Sequence, residues 1–224
     1  MRFQGPILLL LVSACTGVYS DPPRTTEPTE PTDPAGQVEV PQIVTGRKQM
    51  FVTSTNYQGG LLGGLAGADA KCAVRAAAGG LTGTFKAWLS DSHRSAGARL
   101  THSTGSYSLV DGTLVVASWD DLVATRLQHA IDHDEFGHLH TGPIGCIFQW
   151  PMAWTETTVK GDKHPEYPGV SDDLGPCGDW AEISHDGFYS DAFVGNVLAS
   201  DSFWTEGTCA AACTDHAALY CFEQ

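Results

Sequence analysis

The chain has few basic side chains and few long apolar stretches, and both shortages exclude functions. It carries 12 Lys and Arg against 26 Asp and Glu, for a formal charge of −14 over 224 residues. Nucleic acids and anionic membrane surfaces are bound through basic patches, so this composition argues against both partners. A membrane-spanning helix needs about 20 apolar residues. No segment of the sequence reaches that length, so we expect any membrane attachment to be through lipid only.

The first 15 residues have the pattern of an export signal. One basic residue, Arg2, precedes the short apolar run Ile7–Val12, which is typical of a secretory signal. The run leads into Val12-Ser13-Ala14-Cys15, which resembles the bacterial lipobox, where small residues precede a cysteine that is lipidated. We expect residues 1–15 to be a lipoprotein signal peptide ending at lipidated Cys15, with the protein anchored in the bacterial cell envelope, at the outer membrane or cell surface. The alternative is an ordinary signal peptide with an incidental cysteine.

Residues 16–46 have the composition of a disordered spacer. Thr26-Glu27-Pro28, Thr29-Glu30-Pro31 and Thr32-Asp33-Pro34 are three copies of one triplet. Proline at every third place favours polyproline II over packed structure, and the acidic residues keep the segment solvated. The remaining residues, 47–224, are long enough for one domain with a buried core. The sequence therefore predicts a single domain presented away from a membrane.

Short helices and strands alternate along the first half of this domain and predict an α+β class. A strand is expected at Gln49–Ser54, and a helix at Ala66–Ala78, where Gly79-Gly80 follows as a stop. A strand is expected at Thr82–Ser90, and a hairpin at Tyr107–Ala117 around Asp111-Gly112. A helix capped by Ser118 should follow, and Phe148–Trp154, with its aromatic residues at period two, should be a core strand. The segment from Gln128 to Thr208 is otherwise rich in loops.

The seven cysteines indicate a disulfide framework. With Cys15 assigned to lipid, six remain, which is an even number in an exported chain and allows fifteen pairings. No cysteine is then left over as a nucleophile, so the count argues against a thiol enzyme.

The densest polar cluster, His129–His140, is the candidate metal site. It contains four of the nine histidines and three acidic residues. It lacks the His-Glu-x-x-His zinc pattern, and Phe136 and Pro143 break the pattern of a calcium loop. Mixed imidazole and carboxylate ligands suit zinc better than calcium. The two alternatives are a solvated loop and a divalent-metal site with the ligands Asp132, Asp134, Glu135, His138 and His140.

A serine-hydrolase site is disfavoured by the sequence. Ser184-His185-Asp186 brings the three residue types together, but catalytic triads assemble from distant positions, and no Gly-x-Ser-x-Gly elbow is present.

Four ordered motifs give the chain a resemblance to endostatin, the C-terminal domain of certain collagens, and more closely to bacterial endostatin-like lipoproteins. The resemblance runs from about Gly46 to the C-terminus. The motifs are Gly80-Leu-Thr-Gly-Thr-Phe-Lys-Ala-Trp-Leu-Ser90 after Cys72, Ser118-Trp119-Asp120-Asp121-Leu122, Cys177-Gly178-Asp179-Trp180, and the late Cys213 and Cys221 before the closing Phe222-Glu223-Gln224.

The resemblance implies a C-type-lectin-like single domain with long disulfide-pinned loops. It implies the bridges Cys72–Cys221 and Cys177–Cys213, which leaves Cys146–Cys209 as the remaining pair. In the family's Trp-x-Gly-[Ser/Thr] turn, Glu156 stands here in place of glycine. The family's heparin and zinc sites do not carry over, because residues 47–224 have ten basic and twenty-one acidic residues and no histidine precedes His93. We therefore argue against heparin as a ligand.

The expected function is a non-catalytic binding module on a surface lipoprotein, with an extracellular protein or glycan as its ligand. The alternative is a metal-dependent envelope enzyme, such as a zinc-dependent hydrolase, centred on His129–His140. No certain cofactor follows from the sequence.

Overall fold

Strands predominate over a few short helices in the part of the chain that the structure describes. The computed structural model describes residues 43–44, 46–145, 149–165, 175–183, 191–207 and 209–224. Their mixture of helix and strand agrees with the predicted α+β class. The predicted signal peptide, Cys15 and most of the predicted spacer lie outside these ranges. The first described strand is Ile43–Val44, near the end of the predicted spacer.

The strands are short, and most belong to one mixed sheet. In chain order they are β1 Ile43–Val44, β2 Lys48–Val52, β3 Tyr57–Gln58, β4 Phe85–Ala87, β5 His102–Ser103, β6 Tyr107–Ser108, β7 Leu114–Val116, β8 Ile144–Gly145, β9 Trp150–Trp154, β10 Asp191–Asn196, β11 Ala210–Ala212 and β12 His216–Glu223. The main sheet has the order β11-β10-β9-β12-β2-β6-β7, with β3 and β4 also paired to β12 and β8 to β9. The small sheet pairs β1 with β5.

The C-terminal strand β12 is the centre of the sheet. It runs antiparallel to β2 and β4 and parallel to β9, so the chain end is held among segments that precede it by 60 residues and more. Its side chains alternate between two apolar cores: Ala217, Leu219 and Cys221 face the core beneath the long helix, and Ala218, Tyr220 and Phe222 face the other. Burial on both faces explains why the strand reads as a nearly continuous apolar run.

The helices are α1 Gly64–Ala78, α2 Ala96–Arg99, α3 Trp119–Val123 and α4 Cys177–Trp180. The long helix, α1, covers one face of the sheet with Leu65, Ala68, Cys72 and Ala76, which recur at helical spacing. It ends in a Schellman motif, because Gly80 has a φ of +72° and the amide of Leu81 donates to the carbonyl of Ala76 at 2.9 Å.

Both bridges implied by the resemblance are present. Cys72 of α1 is bonded to Cys221 of β12, and Cys177 is bonded to Cys213. The first bridge joins the long helix to the central strand. Cys209 is also disulfide-bonded, but its predicted partner, Cys146, lies outside the described residues. Among the described helices, none has the length and apolar character needed to cross a membrane.

Candidate functional site

The cluster predicted as the candidate site folds as a small hairpin, which we call the histidine–acid hairpin (residues 132–140). His133 and Leu139 pair as antiparallel partners, and the amide of His140 donates to the carbonyl of Asp132 at 2.7 Å. Asp134 closes the tip, because its Oδ1 accepts the amides of Phe136 and His138, both at 2.9 Å. Gly137 supplies the left-handed conformation of the turn, with a φ of +79°.

Glu135 anchors the hairpin to the body of the domain. Its side chain is fully buried, and its carboxylate accepts the Ser54 amide at 2.9 Å and the Arg75 Nε at 2.7 Å. The Ser54 hydroxyl and a second nitrogen of Arg75 donate to the same carboxylate. A carboxylate buried this deeply is tolerated only when it is paired and hydrogen-bonded, so this network fixes the position of the hairpin.

Backbone packing holds the hairpin from two further sides. The amide of Val52 in β2 donates to the carbonyl of His133 at 3.0 Å. The end of α1 approaches so closely that a Cβ added to Gly79 would lie 2.2 Å from the carbonyl oxygen of Glu135. The hairpin is therefore an ordered feature of the surface, clamped between the ends of β2 and α1.

The tip of the hairpin exposes apolar and aromatic side chains to solvent. Phe136 is 48% exposed and Leu139 is 54% exposed. The guanidinium of Arg75 lies 5.6 Å from the centre of the Phe136 ring, within the range of a cation–π contact. The imidazole of His138, which is largely exposed, has its centre 6.1 Å from that of Phe136. An anchored base thus presents a small apolar surface at its tip.

Asp132, at the base of the hairpin, collects two imidazoles. Its Oδ1 lies 2.7 Å from His133 Nδ1 and 3.5 Å from His129 Nδ1.

The hydroxyl of Tyr220 is fully buried and has no hydrogen-bond partner among the described residues. Burial, and then the nearby charge of Asp132, raise the pKa of this hydroxyl above its usual value. The base of the hairpin therefore places the charge of Asp132 near a buried tyrosine of the second core.

His140, at the end of the hairpin, is buried and 4% exposed. Its Nε2 and the Oδ1 of Asn56 both lack hydrogen-bond partners within the described ranges. Burial lowers the pKa of His140, and the charges of Asp134 and Glu135 oppose that effect only in part. The surroundings of this imidazole therefore disfavour its charged form.

The five predicted metal ligands have different roles in the structure. Glu135 binds Arg75, Asp134 binds backbone amides, Asp132 binds His133, His140 is buried, and His138 is exposed at the tip. Within the described ranges, no group of three or more His, Cys, Asp or Glu side chains is placed to hold a metal ion. Metal binding by the five-ligand set stays a prediction.

A second unusual feature, which sequence reasoning missed, is a left-handed turn at α4. Cys177, Gly178, Asp179 and Trp180 all have φ between +50° and +70°. Such a conformation costs roughly 1–2 kcal/mol for each residue other than glycine. It is held by the bridge to Cys213 and by the indole of Trp180, which donates to the carbonyl of Ser90 at 2.8 Å. Only Gly178 could have indicated it from the sequence.

The left-handed turn brings Asp179 against Ser92 and His93 without forming a catalytic triad. Asp179 accepts the amide and the hydroxyl of Ser92 at 2.9 and 2.8 Å, and its Oδ2 lies 3.5 Å from His93 Nε2. The carboxylate, and not the imidazole, occupies the middle position, so His93 is not arranged to take the proton of Ser92 as the histidine of a triad does. The other serine–histidine–aspartate set, residues 184–186, lies outside the described residues.

Fold and site together define an α+β, disulfide-bridged domain with an anchored hairpin whose tip is exposed. No protein-family model matches the sequence, and no curated protein matches it significantly.

Proposed function

We propose that this protein is a lipid-anchored surface lipoprotein whose folded domain is a non-catalytic binding module for an extracellular protein or glycan. The histidine–acid hairpin is its contact surface. The observation that carries the proposal is the contrast between the buried anchor at Glu135 and the exposed tip at Phe136 and Leu139. Burying the Glu135 carboxylate and exposing Phe136 and Leu139 both cost free energy of folding. Recognition of a ligand by the exposed side chains would explain why the hairpin has this arrangement.

An anchored hairpin is suited to binding because it has already lost its conformational entropy during folding, before a ligand binds. Ordering a flexible side chain on association costs roughly 0.5–1.5 kcal/mol, and a loop fixed in advance avoids part of that cost. Phe136 is supported from below by the guanidinium of Arg75, so its ring position is also set before a ligand arrives. Aromatic side chains held in this way are typical of the residues that dominate binding energy.

We also propose that the domain has a C-type-lectin-like, endostatin-like fold. Glu156 supports this proposal: it has a φ of +44°, a conformation that favours the glycine that the family has at this place. The tryptophans of three resemblance motifs, Trp88, Trp119 and Trp180, are all buried, as expected for residues that define a fold. The two described bridges join the late cysteines, Cys221 and Cys213, to Cys72 and Cys177, as the resemblance implies.

The lipid anchor is tested by replacing Cys15 with Ser. The wild-type chain should fractionate with membranes and carry acyl chains by mass spectrometry, and the variant should be released. Retention of the variant in membranes, together with a wild type that carries no lipid, would contradict the anchor.

The binding function is tested by screening the full chain against extracellular matrix proteins and a glycan array. We expect at least one saturable ligand for the wild type. The double variant Phe136→Ala/Leu139→Ala should lose it, because both truncations remove exposed apolar surface and leave the Glu135 anchor intact. Leu198→Ala is the matched control, since Leu198 is similarly exposed elsewhere on the domain. Turnover of a substrate with no saturable ligand in the screen would favour the enzyme alternative.

A further inference from the structure

The tip of the histidine–acid hairpin adjoins a second hairpin, which is formed by β6 and β7. A Cβ added to Gly137 would lie 3.6 Å from Cγ2 of Val110, which belongs to the turn between β6 and β7. The next residue of that turn, Asp111, is exposed and interacts electrostatically with His133. The two hairpins therefore form one surface, which we call the two-hairpin surface (residues 110–112 and 132–139).

Asp111 is a charged residue at the edge of this surface. Its carboxylate accepts the amide and the hydroxyl of Thr113 at 2.8 and 3.1 Å. The hydrogen bond from the amide is the main effect that lowers the pKa of Asp111, because it favours the charged form. The carboxylate is therefore ionised at neutral pH, and its own turn orients it.

Lys and Arg do not balance the negative charge of the two-hairpin surface. Asp132 contacts imidazoles, and Asp134 accepts backbone amides. Within the described ranges, neither of these carboxylates forms an ion pair with Lys or Arg, and neither does that of Asp111. Arg75, beside the tip, is already paired with Glu135. Three carboxylates are thus left to attract a cationic partner.

Exposed apolar side chains lie on the same surface as these carboxylates. Phe136 and Leu139 are exposed, and Val110 is partly exposed. Apolar anchors supply most of the affinity of an interface, whereas complementary charge speeds association and selects the partner. A segment with an apolar side chain between basic ones meets both requirements. An acidic glycan would be repelled by the carboxylates, and a neutral glycan has no charge with which to balance them.

We propose that the two-hairpin surface binds a basic segment of a protein partner, in which an apolar side chain is flanked by Lys or Arg. This inference rests on the proposed binding function of the hairpin tip. It adds the turn at Asp111 to the contact surface and assigns the charge of the partner.

Fluorescence anisotropy of labelled synthetic peptides, titrated with the purified full chain in a non-ionic detergent, tests the proposal. The probe is the peptide Lys-Lys-Leu-Phe-Lys-Lys, and we expect it to bind saturably. Versions with Glu in place of every Lys, or with Gly-Ser in place of Leu-Phe, should bind at least roughly tenfold more weakly. Raising the ionic strength from about 0.1 M to about 1 M, which shortens the Debye length from about 10 to about 3 Å, should weaken binding of the probe at least roughly fivefold.

Three variants locate the binding of the probe. Asp111→Asn keeps the acceptor for Thr113 and removes the charge, so it should bind about two- to fivefold more weakly, as expected for one exposed charge pair. Asp201→Asn is the matched control and should change nothing, because this exposed aspartate also accepts the amide two residues on, at 3.1 Å. Phe136→Ala/Leu139→Ala should lose saturable binding. Thermal unfolding checks that each variant is folded, and Leu139→Ala alone replaces the double variant if that one unfolds.

Four results would overturn the proposal: no binding of the probe to the wild type, equal binding of the Lys and Glu peptides, equal affinities of Asp111→Asn and Asp201→Asn, or wild-type affinity in the folded tip variant. A glycan that binds at the tip without dependence on ionic strength would also overturn it. In any of these cases, a screened ligand that still depends on Phe136 and Leu139 would leave the binding function standing. If no ligand depends on the tip, the binding function itself is wrong.

Discussion

Replacing Arg75 with Met should destabilise the domain by about 3 kcal/mol. The substitution removes the cation from a carboxylate, that of Glu135, whose side chain is fully buried. Removing one partner of a buried ion pair costs about 3–5 kcal/mol, because the other charge is left without compensation. We expect the lower end of that range, since the Arg75 side chain is partly exposed and Ser54 still donates to Glu135.

The assay is denaturant and thermal unfolding with the disulfides intact. For a domain of this size, each kcal/mol shifts the midpoint by about 2–4 °C, so Arg75→Met should unfold roughly 6–12 °C below wild type. Arg126→Met is the matched control. Its ion pair with Asp121 is largely exposed, and such pairs contribute about 0–1 kcal/mol.

A double variant separates the charge effect from lost packing. Arg75→Met/Glu135→Gln keeps an oxygen acceptor for Ser54 and removes the uncompensated charge, so it should be more stable than Arg75→Met alone. If Arg75→Met costs no more than Arg126→Met, or if the double variant is the less stable of the two, the hairpin is not anchored by this pair.

Two further predictions concern His140. Stability should fall as the pH drops below about 6.5, because burial lowers the pKa of His140 and the unfolded chain then binds a proton that the folded protein does not. The unfolding free energies at pH 7.5 and pH 5.5 should therefore differ less in His140→Gln than in the wild type. An equal pH dependence in both proteins would contradict this. Gly142→Ala should destabilise the domain more than Gly80→Ala in the same assay. An added Cβ at Gly142 would lie 2.1 Å from the buried His140 Nε2, whereas at Gly80 it meets nothing within 4 Å and costs roughly 1–2 kcal/mol of backbone strain. Similar losses in the two variants would mean that His140 can move aside.

Sequence patterns predicted those helix ends and caps that are formed by contacts between residues close together along the chain. The stop at Gly79-Gly80 was read correctly, and the helix expected at Ala66–Ala78 spans Gly64–Ala78. The Ser118 cap is also confirmed, since its hydroxyl accepts the amide of Asp121 at 3.2 Å. In each case the determining contacts lie within a few residues of one another along the chain.

The strand predicted at Thr82–Ser90 is shorter in the structure because its partners change. Only Phe85–Ala87 pairs with β12 as a strand. Beyond it, the amide of Ser90 donates to the carbonyl of Thr155, which directly follows β9. Alternation of apolar and polar residues predicts an extended segment, but it cannot predict which partner each residue has.

The candidate site could be located from the sequence but not interpreted. The histidines and acids of His129–His140 marked the segment. The directions of their side chains depend on Arg75, which is 60 residues before Glu135, and on β2. The sequence therefore could not show that Glu135 contacts Arg75 and Ser54. The importance of Phe136 and Leu139 depends on their exposure, which no spacing pattern encodes.

Ligand binding at the tip of the hairpin is the central claim about this protein. The measurement is the dissociation constant of a ligand from the screen for wild type, Phe136→Ala/Leu139→Ala and Leu198→Ala. Loss of a central apolar contact costs about 2 kcal/mol or more, so the double variant should bind at least roughly 30-fold more weakly, with Leu198→Ala unchanged. Equal affinity for the wild type and the double variant, with both proteins folded, would contradict the central claim.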